Sequence, residues 1–124
     1  MAKRPVYLDL FRIHLPPAGW VSVLHRISGV LLFVAMPLGV WGLSVSLSGE
    51  DGFRRMADCF SFPLARPFLL LLIWALVHHG LAGLRHLALD AHWGVEPRRA
   101  RQTSVAVLLA SGLVALFAAW RLFA

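Results

Sequence analysis

The sequence predicts an all-α integral membrane protein with three transmembrane helices, and three observations carry that reading. The 124-residue chain is 59% hydrophobic and only 15% charged, too little polar surface for a soluble domain of this length. Its apolar residues fall into three long runs. Residues 27–49 and 103–120 contain no charged side chain, and residues 68–84 contain none apart from the titratable pair His78 and His79. At about 1.5 Å of rise per residue, roughly 20 residues cross a bilayer core of about 30 Å, so each run is read as one span. Each run is continuously apolar and lacks the alternation of a lipid-facing strand, which leaves the helix as the spanning form.

The elements follow in order. Residues 1–19 are polar or mixed and hold Pro5, Pro16 and Pro17; they are expected to form an extended arm at the membrane surface. Lys3 and Arg4 ahead of an apolar run resemble a signal peptide only superficially. The run is too long for a signal core and no small-residue cleavage site ends it, so the segment is expected to be retained. The first helix is expected over about 20–47, with Pro37 bending it, which membrane helices tolerate. Residues 48–67 form a loop in which 52–62 has the makings of a short interfacial helix. The second helix is expected over about 67–90, with Pro67 in its first turn. A basic loop over 91–102 leads to the third helix, from about 103 to 124. There is no internal repeat and no low-complexity segment, so residues 1–124 are read as a single transmembrane domain.

The arm carries Lys3, Arg4 and Arg12, and the second loop Arg98, Arg99 and Arg101, against Arg54, Arg55 and Arg66 in the first loop. That excess puts the N-terminus and the second loop in the cytoplasm and the C-terminus outside. The net charge of +6 does not point to nucleic acid, because the cations flank spans and form no single solvated patch. The single Cys59 has no partner for an internal disulfide and reads as an inert loop thiol.

Polar groups in a span are costly, about 2.5–3.5 kcal/mol for a central arginine on the insertion scale, so each needs a reason. Two clusters stand out. Ser22, His25 and Arg26 lie at the cytoplasmic start of the first helix, three and four residues apart and on one face with Gly29. His79, Gly83, Arg85 and His86 lie in the cytoplasmic half of the second. His79 and His86 are seven apart, almost two turns, with Gly83 between them and about 10 Å between the histidines along the axis. The second helix returns to the face from which the first departs, so both clusters are expected at similar depth in one shared site.

A histidine at the depth of His79, with a glycine one turn on, suits an axial haem ligand: imidazole binds the iron and the glycine leaves room for the macrocycle. His25, Arg26, Arg85 and His86 are placed to meet the propionates. Ser22 and Arg26 can equally donate hydrogen bonds to a quinone carbonyl. Blander readings stand beside these. Arg85 and His86 can snorkel to headgroups, Ser22 can bond its own helix backbone, and His79 can make a helix–helix hydrogen bond. His78, about 100° away from His79, reads as a packing residue. His14 and His92 have no assigned role, and the five tryptophans read as interface residues and packing.

These residues resemble a known family. The stretch from Arg4 to Leu10, Arg-Pro-Val-Tyr-Leu-Asp-Leu, resembles the arm that opens the cytochrome b556 subunit of bacterial succinate dehydrogenase. The stretch from Ser22 to Gly29, Ser-Val-Leu-His-Arg-Ile-Ser-Gly, looks like that family's quinone and haem motif. The stretch from His79 to His86, His-Gly-Leu-Ala-Gly-Leu-Arg-His, followed by Asp90, looks like its haem-ligand motif. Order, separations, three helices and length agree over essentially the whole chain, though the third helix adds only hydrophobicity. Tyr7 departs from the family's more usual asparagine. The doublet of His78 and His79 is resolved for His79, which alone has the spacing to Gly83 and His86.

The resemblance implies that His79 is one axial ligand of haem b and its iron, with Gly83 in haem packing. It implies that Ser22 and Arg26 line the ubiquinone site, and that His25, Arg26 and His86, joined by Arg85, lie in the propionate region. No catalytic residue for succinate oxidation is assigned to this chain. It carries no flavin fingerprint and no cysteine set for a cluster. A second small membrane subunit would then supply the other haem ligand, and an iron–sulfur subunit and a flavoprotein subunit would dock on the cytoplasmic face of the bacterial inner membrane. The rival readings are a haem b subunit of a fumarate reductase, and a haem-free small membrane protein for interaction or transport.

Overall fold

The computed structural model describes residues 14–124. The opening motif from Arg4 to Leu10 and the cations Lys3, Arg4 and Arg12 therefore lie outside the described residues. The fold class agrees with the sequence reading: four helices and, among the described residues, no strand. They are α1 (Pro17–Ser46), α2 (Glu50–Ser61), α3 (Ala65–Asp90) and α4 (Pro97–Phe123). Three of them, α1, α3 and α4, are long and apolar enough to cross a membrane. Their outward faces are apolar too, with Val30, Phe33, Leu113 and Leu116 all exposed, which suits lipid as the solvent.

Helix starts are set by proline. Pro17 and Pro97 occupy first-turn positions of α1 and α4, where the missing N–H would have no partner and the fixed φ is already helical. As a result α4 begins six residues ahead of the apolar run, and Arg98, Arg99 and Arg101 ride on its first turns instead of in a loop. Hydropathy marks where a helix enters the membrane, not where helical backbone begins. Pro37 lies inside α1, which continues through it.

The short α2 folds back on the end of α1. Gly49 takes a φ of 130° before it, a conformation that favours glycine. At Gly52 a Cβ would overlap the carbonyl oxygen of Val45 and the hydroxyl of Ser48, so only glycine permits that approach. Glu50 and Asp51 in the first turn of α2 oppose the positive end of the helix dipole. Cys59 on this helix is exposed.

At the other turn, α3 ends in a paired-bond cap. Trp93 N–H donates to the Ala88 carbonyl at 2.8 Å and His92 N–H to that of Leu89 at 2.9 Å. His92 takes the left-handed φ of 63° that this motif requires.

α3 is the middle element, packed along both α1 and α4, which also touch each other. A small core takes Val21 from α1, Ala82 from α3 and Val107 from α4, flanked by Leu81 and Leu108. Apart from His78 and Arg85, the other buried positions are small, among them Ser28, Ala75, Ser104 and Ser111. Small residues let membrane helices approach closely, where lipid tails remove the usual hydrophobic drive between helices.

Candidate functional site

α3 presents two polar faces, one to α1 and one to α4. Toward α1, the His79 ring stacks on the His25 ring, with centroids 4.1 Å apart and planes 10° from parallel. His86 meets His25 edge-on, at 5.1 Å and 60°. The two clusters expected to share a site are thus joined through three imidazoles. Gly29 and Gly83 make room for the stack: a Cβ at Gly29 would stand 3.0 Å from His79 Cε1, and one at Gly83 would stand 3.6 Å from His25 Nε2.

The His79 ring is held at one nitrogen. Nδ1 lies 3.1 Å from the His25 carbonyl oxygen and 3.3 Å from Ser28 Oγ. Its Nε2 makes no hydrogen bond among the described residues. A half-buried imidazole, fixed through Nδ1 to a carbonyl with Nε2 left over, is the donor arrangement that metal-binding histidines use. These residues therefore have the donor chemistry to hold haem iron through His79.

Ser22 is half-buried and Arg26 exposed, one turn apart beside this stack on α1. Among the described residues neither makes a side-chain hydrogen bond, so the Ser22 hydroxyl is not tied to its own helix backbone.

Arg85 departs from the expectation that it joins the propionate region. It is only 8% exposed and faces α4, where Nε donates to Thr103 Oγ1 at 3.1 Å and Nη2 to the Ala100 carbonyl at 3.1 Å. The reason is helical phase. Arg85 follows His79 by six residues, about 120° away, whereas His86 follows by seven and returns to the same face. Arg85 shares its face with His78, seven residues before it. His78 is fully buried, stacks on Trp74 at 5.4 Å and 21°, and pairs through Nδ1 with Ser111 Oγ at 3.1 Å. Its Nε2 is buried without a partner.

A cleft of about 530 Å³ between α1, α2 and α3, lined by Gly39, Gly42, Met56, Cys59 and Phe68 among others, lies toward the opposite end of the helices. It is nearly all apolar and brings no charged group to the histidines.

Residues 1–119 match the profile of the succinate dehydrogenase/fumarate reductase transmembrane subunit family. A succinate dehydrogenase cytochrome b556 subunit of Coxiella burnetii is 39% identical over 93 residues, 72% of each chain. That of Paracoccus denitrificans is 33% identical over 114 residues, 92% of this chain and 88% of its own. That of Rickettsia felis is 27% identical over 116 residues, 92% and 89% of the two chains.

Proposed function

From the premise that this chain belongs to the succinate dehydrogenase/fumarate reductase transmembrane subunit family, we propose that it is the haem b membrane subunit of a succinate dehydrogenase. It would help form the site at which electrons from succinate reach ubiquinone. The observation that carries this reading is the state of His79: anchored at Nδ1 by the His25 carbonyl, packed on His25, and open at Nε2.

In this reading His79 Nε2 would hold the haem iron. Haem b when bound supplies a one-electron redox centre within the membrane. His25, stacked on His79, and His86, edge-on to His25, would together with exposed Arg26 supply donors for the propionates. Arg85 is left out of that set because its guanidinium is engaged on α4. Ser22 and Arg26 donate hydrogen bonds to a ubiquinone carbonyl, and Arg26 adds charge that stabilises the electron density arriving on that oxygen.

In this reading a second membrane subunit would supply the other ligand to the haem iron. Succinate oxidation itself belongs to a flavoprotein and an iron–sulfur subunit. The arginine-rich first turns of α4 would face the cytoplasm with them, in the bacterial inner membrane, with the C-terminus outside.

The complex purified through a tag on this chain should show a b-type band in its dithionite-reduced minus oxidised spectrum. The His79→Ala complex, assembled, should lose or shift it. No band in an intact wild-type preparation would sink the haem reading in favour of a haem-free membrane protein. The quinone assignment fails separately if an Arg26→Ala complex with full haem reduces ubiquinone at the wild-type rate.

A further inference from the structure

Ser28 has no part in the reading above, yet its surroundings are specific. It is 0% exposed, on the face of α1 that meets α3. Its hydroxyl donates to the His25 carbonyl at 2.9 Å, and the same oxygen lies 3.3 Å from His79 Nδ1. His79 Nδ1 is in turn 3.1 Å from that carbonyl. The three atoms form a triangle with a single consistent proton arrangement.

A serine hydroxyl has one proton and two lone pairs. The proton is committed to the His25 carbonyl, so Ser28 turns lone pairs toward His79. The carbonyl oxygen offers lone pairs only. Both neighbours of His79 Nδ1 are then acceptors, and Nδ1 must carry the ring proton. The lone pair of a neutral imidazole is left on Nε2.

We propose that Ser28 is a positioning residue for His79: it fixes the tautomer and tilt of the imidazole and, as a second acceptor on Nδ1–H, strengthens Nε2 as a donor to iron. This deepens the proposed haem reading and rests on it. Gly29 completes the seat, since a Cβ there would stand 3.0 Å from Cε1 and 3.4 Å from Nδ1 of the same ring. The hydroxyl's bond to its own helix also occurs in serines with no task beyond local helix geometry. Such a serine would leave the electronics of the neighbouring ring alone, and the test turns on that difference. Electron density pushed from Nδ1–H toward Nε2 favours ferric iron, so removal of an acceptor raises the haem midpoint potential.

The experiment is a redox titration of the haem in the assembled wild-type, Ser28→Ala and Ser28→Thr complexes, with electron paramagnetic resonance of the oxidised form. The expected result is full haem content in Ser28→Ala, an upward shift of its midpoint potential with altered g-values, and return toward the wild-type values in Ser28→Thr, which keeps the hydroxyl. A Ser28→Ala complex with full haem and an unchanged or lowered potential overturns the proposal, as does a Ser28→Thr complex that stays shifted. Should Ser28→Ala fail to assemble, Ser28→Cys takes its place, with similar volume and a weaker hydrogen bond. The same upward shift is expected there, and an unchanged potential overturns the proposal. A b-type band that survives intact in His79→Ala would instead remove the ligand assignment beneath it.

Discussion

His78 and His79 are neighbours in the chain and opposites in the fold. Both lie in the membrane-spanning part of α3, and each Nδ1 is met by a serine from the adjacent helix, Ser111 on α4 for His78 and Ser28 on α1 for His79. Each also has a second polar residue seven positions on, Arg85 or His86. The two faces then diverge. Arg85 closes on Thr103 and the Ala100 carbonyl, and His78 is sealed between Trp74 and Ser111. That face spends its polar groups on holding α3 to α4. On the other face the imidazoles pack against one another, and His79 Nε2 is left without a hydrogen-bond partner among the described residues. His78 Nε2 lacks a partner too, but it is sealed inside the bundle, so a polar residue in a span signals function when its unused hydrogen-bonding capacity lies within reach of a ligand.

The largest expected effect that separates the faces is that of His78→Ala. It should leave the haem band in place while destabilising the assembled complex by about 2 kcal/mol, from the cavity beside Trp74 and the loss of the Ser111 bond. Chemical denaturation followed by haem release would measure it. If His78→Ala abolished the b-type band with the complex still assembled, the ligand would lie on the α4 face and the comparison would be reversed.

Arg85→Leu comes next. It removes two hydrogen bonds to the first turns of α4 and should cost about 1–2 kcal/mol in the same unfolding measurement. The Ala100 carbonyl is not orphaned by the change, because Thr103 and Ser104 also donate to it. Haem potential should stay at the wild-type value, whereas His86→Leu, one residue later on the histidine face, should move it. A shift in Arg85→Leu as large as that in His86→Leu would return Arg85 to the propionates.

Much of this was readable before any coordinates. Continuous apolar runs located the three spans, and seven-residue spacing put His79, Gly83 and His86 on one stripe. The contrary placement of Arg85 was written in the same numbers, since it shares the phase of His78; grouping by nearness in sequence hid it. Other features depend on contacts that no single helix encodes. Ser28 reads as an ordinary buried serine until α3 brings His79 within 3.3 Å of it. Ser111 sits in the least informative run of the chain, and only the packing of α4 on α3 supplies its partner. The early start of α4 is hidden from hydropathy because its polar first turns look like loop, although Pro97 after Glu96 is a helix-start signal.

Glycine packing gives a graded test within the histidine face. Gly29→Ala places a methyl group 3.0 Å from His79 Cε1, closer than carbon atoms rest, so the ring or α1 must move by a few tenths of an ångström. Gly83→Ala meets His25 Nε2 at an ordinary 3.6 Å. Gly29→Ala should therefore perturb the haem spectrum and lower haem retention about 2- to 10-fold, which corresponds to roughly 0.4–1.4 kcal/mol, with a smaller effect from Gly83→Ala. Equal effects, read from the ratio of haem to protein in the purified complexes, would mean that the macrocycle and not the His79 ring sets the limit at this face.

The finest discrimination comes from the two serines. Ser111→Ala deletes a buried hydroxyl that pairs with His78 Nδ1 and also donates to the Leu108 carbonyl at 3.2 Å. Hydrogen bonds between membrane helices average about 0.6 kcal/mol, so its stability cost should be close to that figure, with haem content and midpoint potential unaltered. Ser28→Ala makes the same chemical deletion on the facing side of α3 and should cost a similar amount of stability, so unfolding alone would not tell the two serines apart. The redox titration would, because only Ser28 hydrogen-bonds to the ring whose other nitrogen is open to iron. A potential shifted equally by both deletions would mean that it responds to the tightness of the whole bundle, and the division of α3 into a holding face and a binding face would then fail.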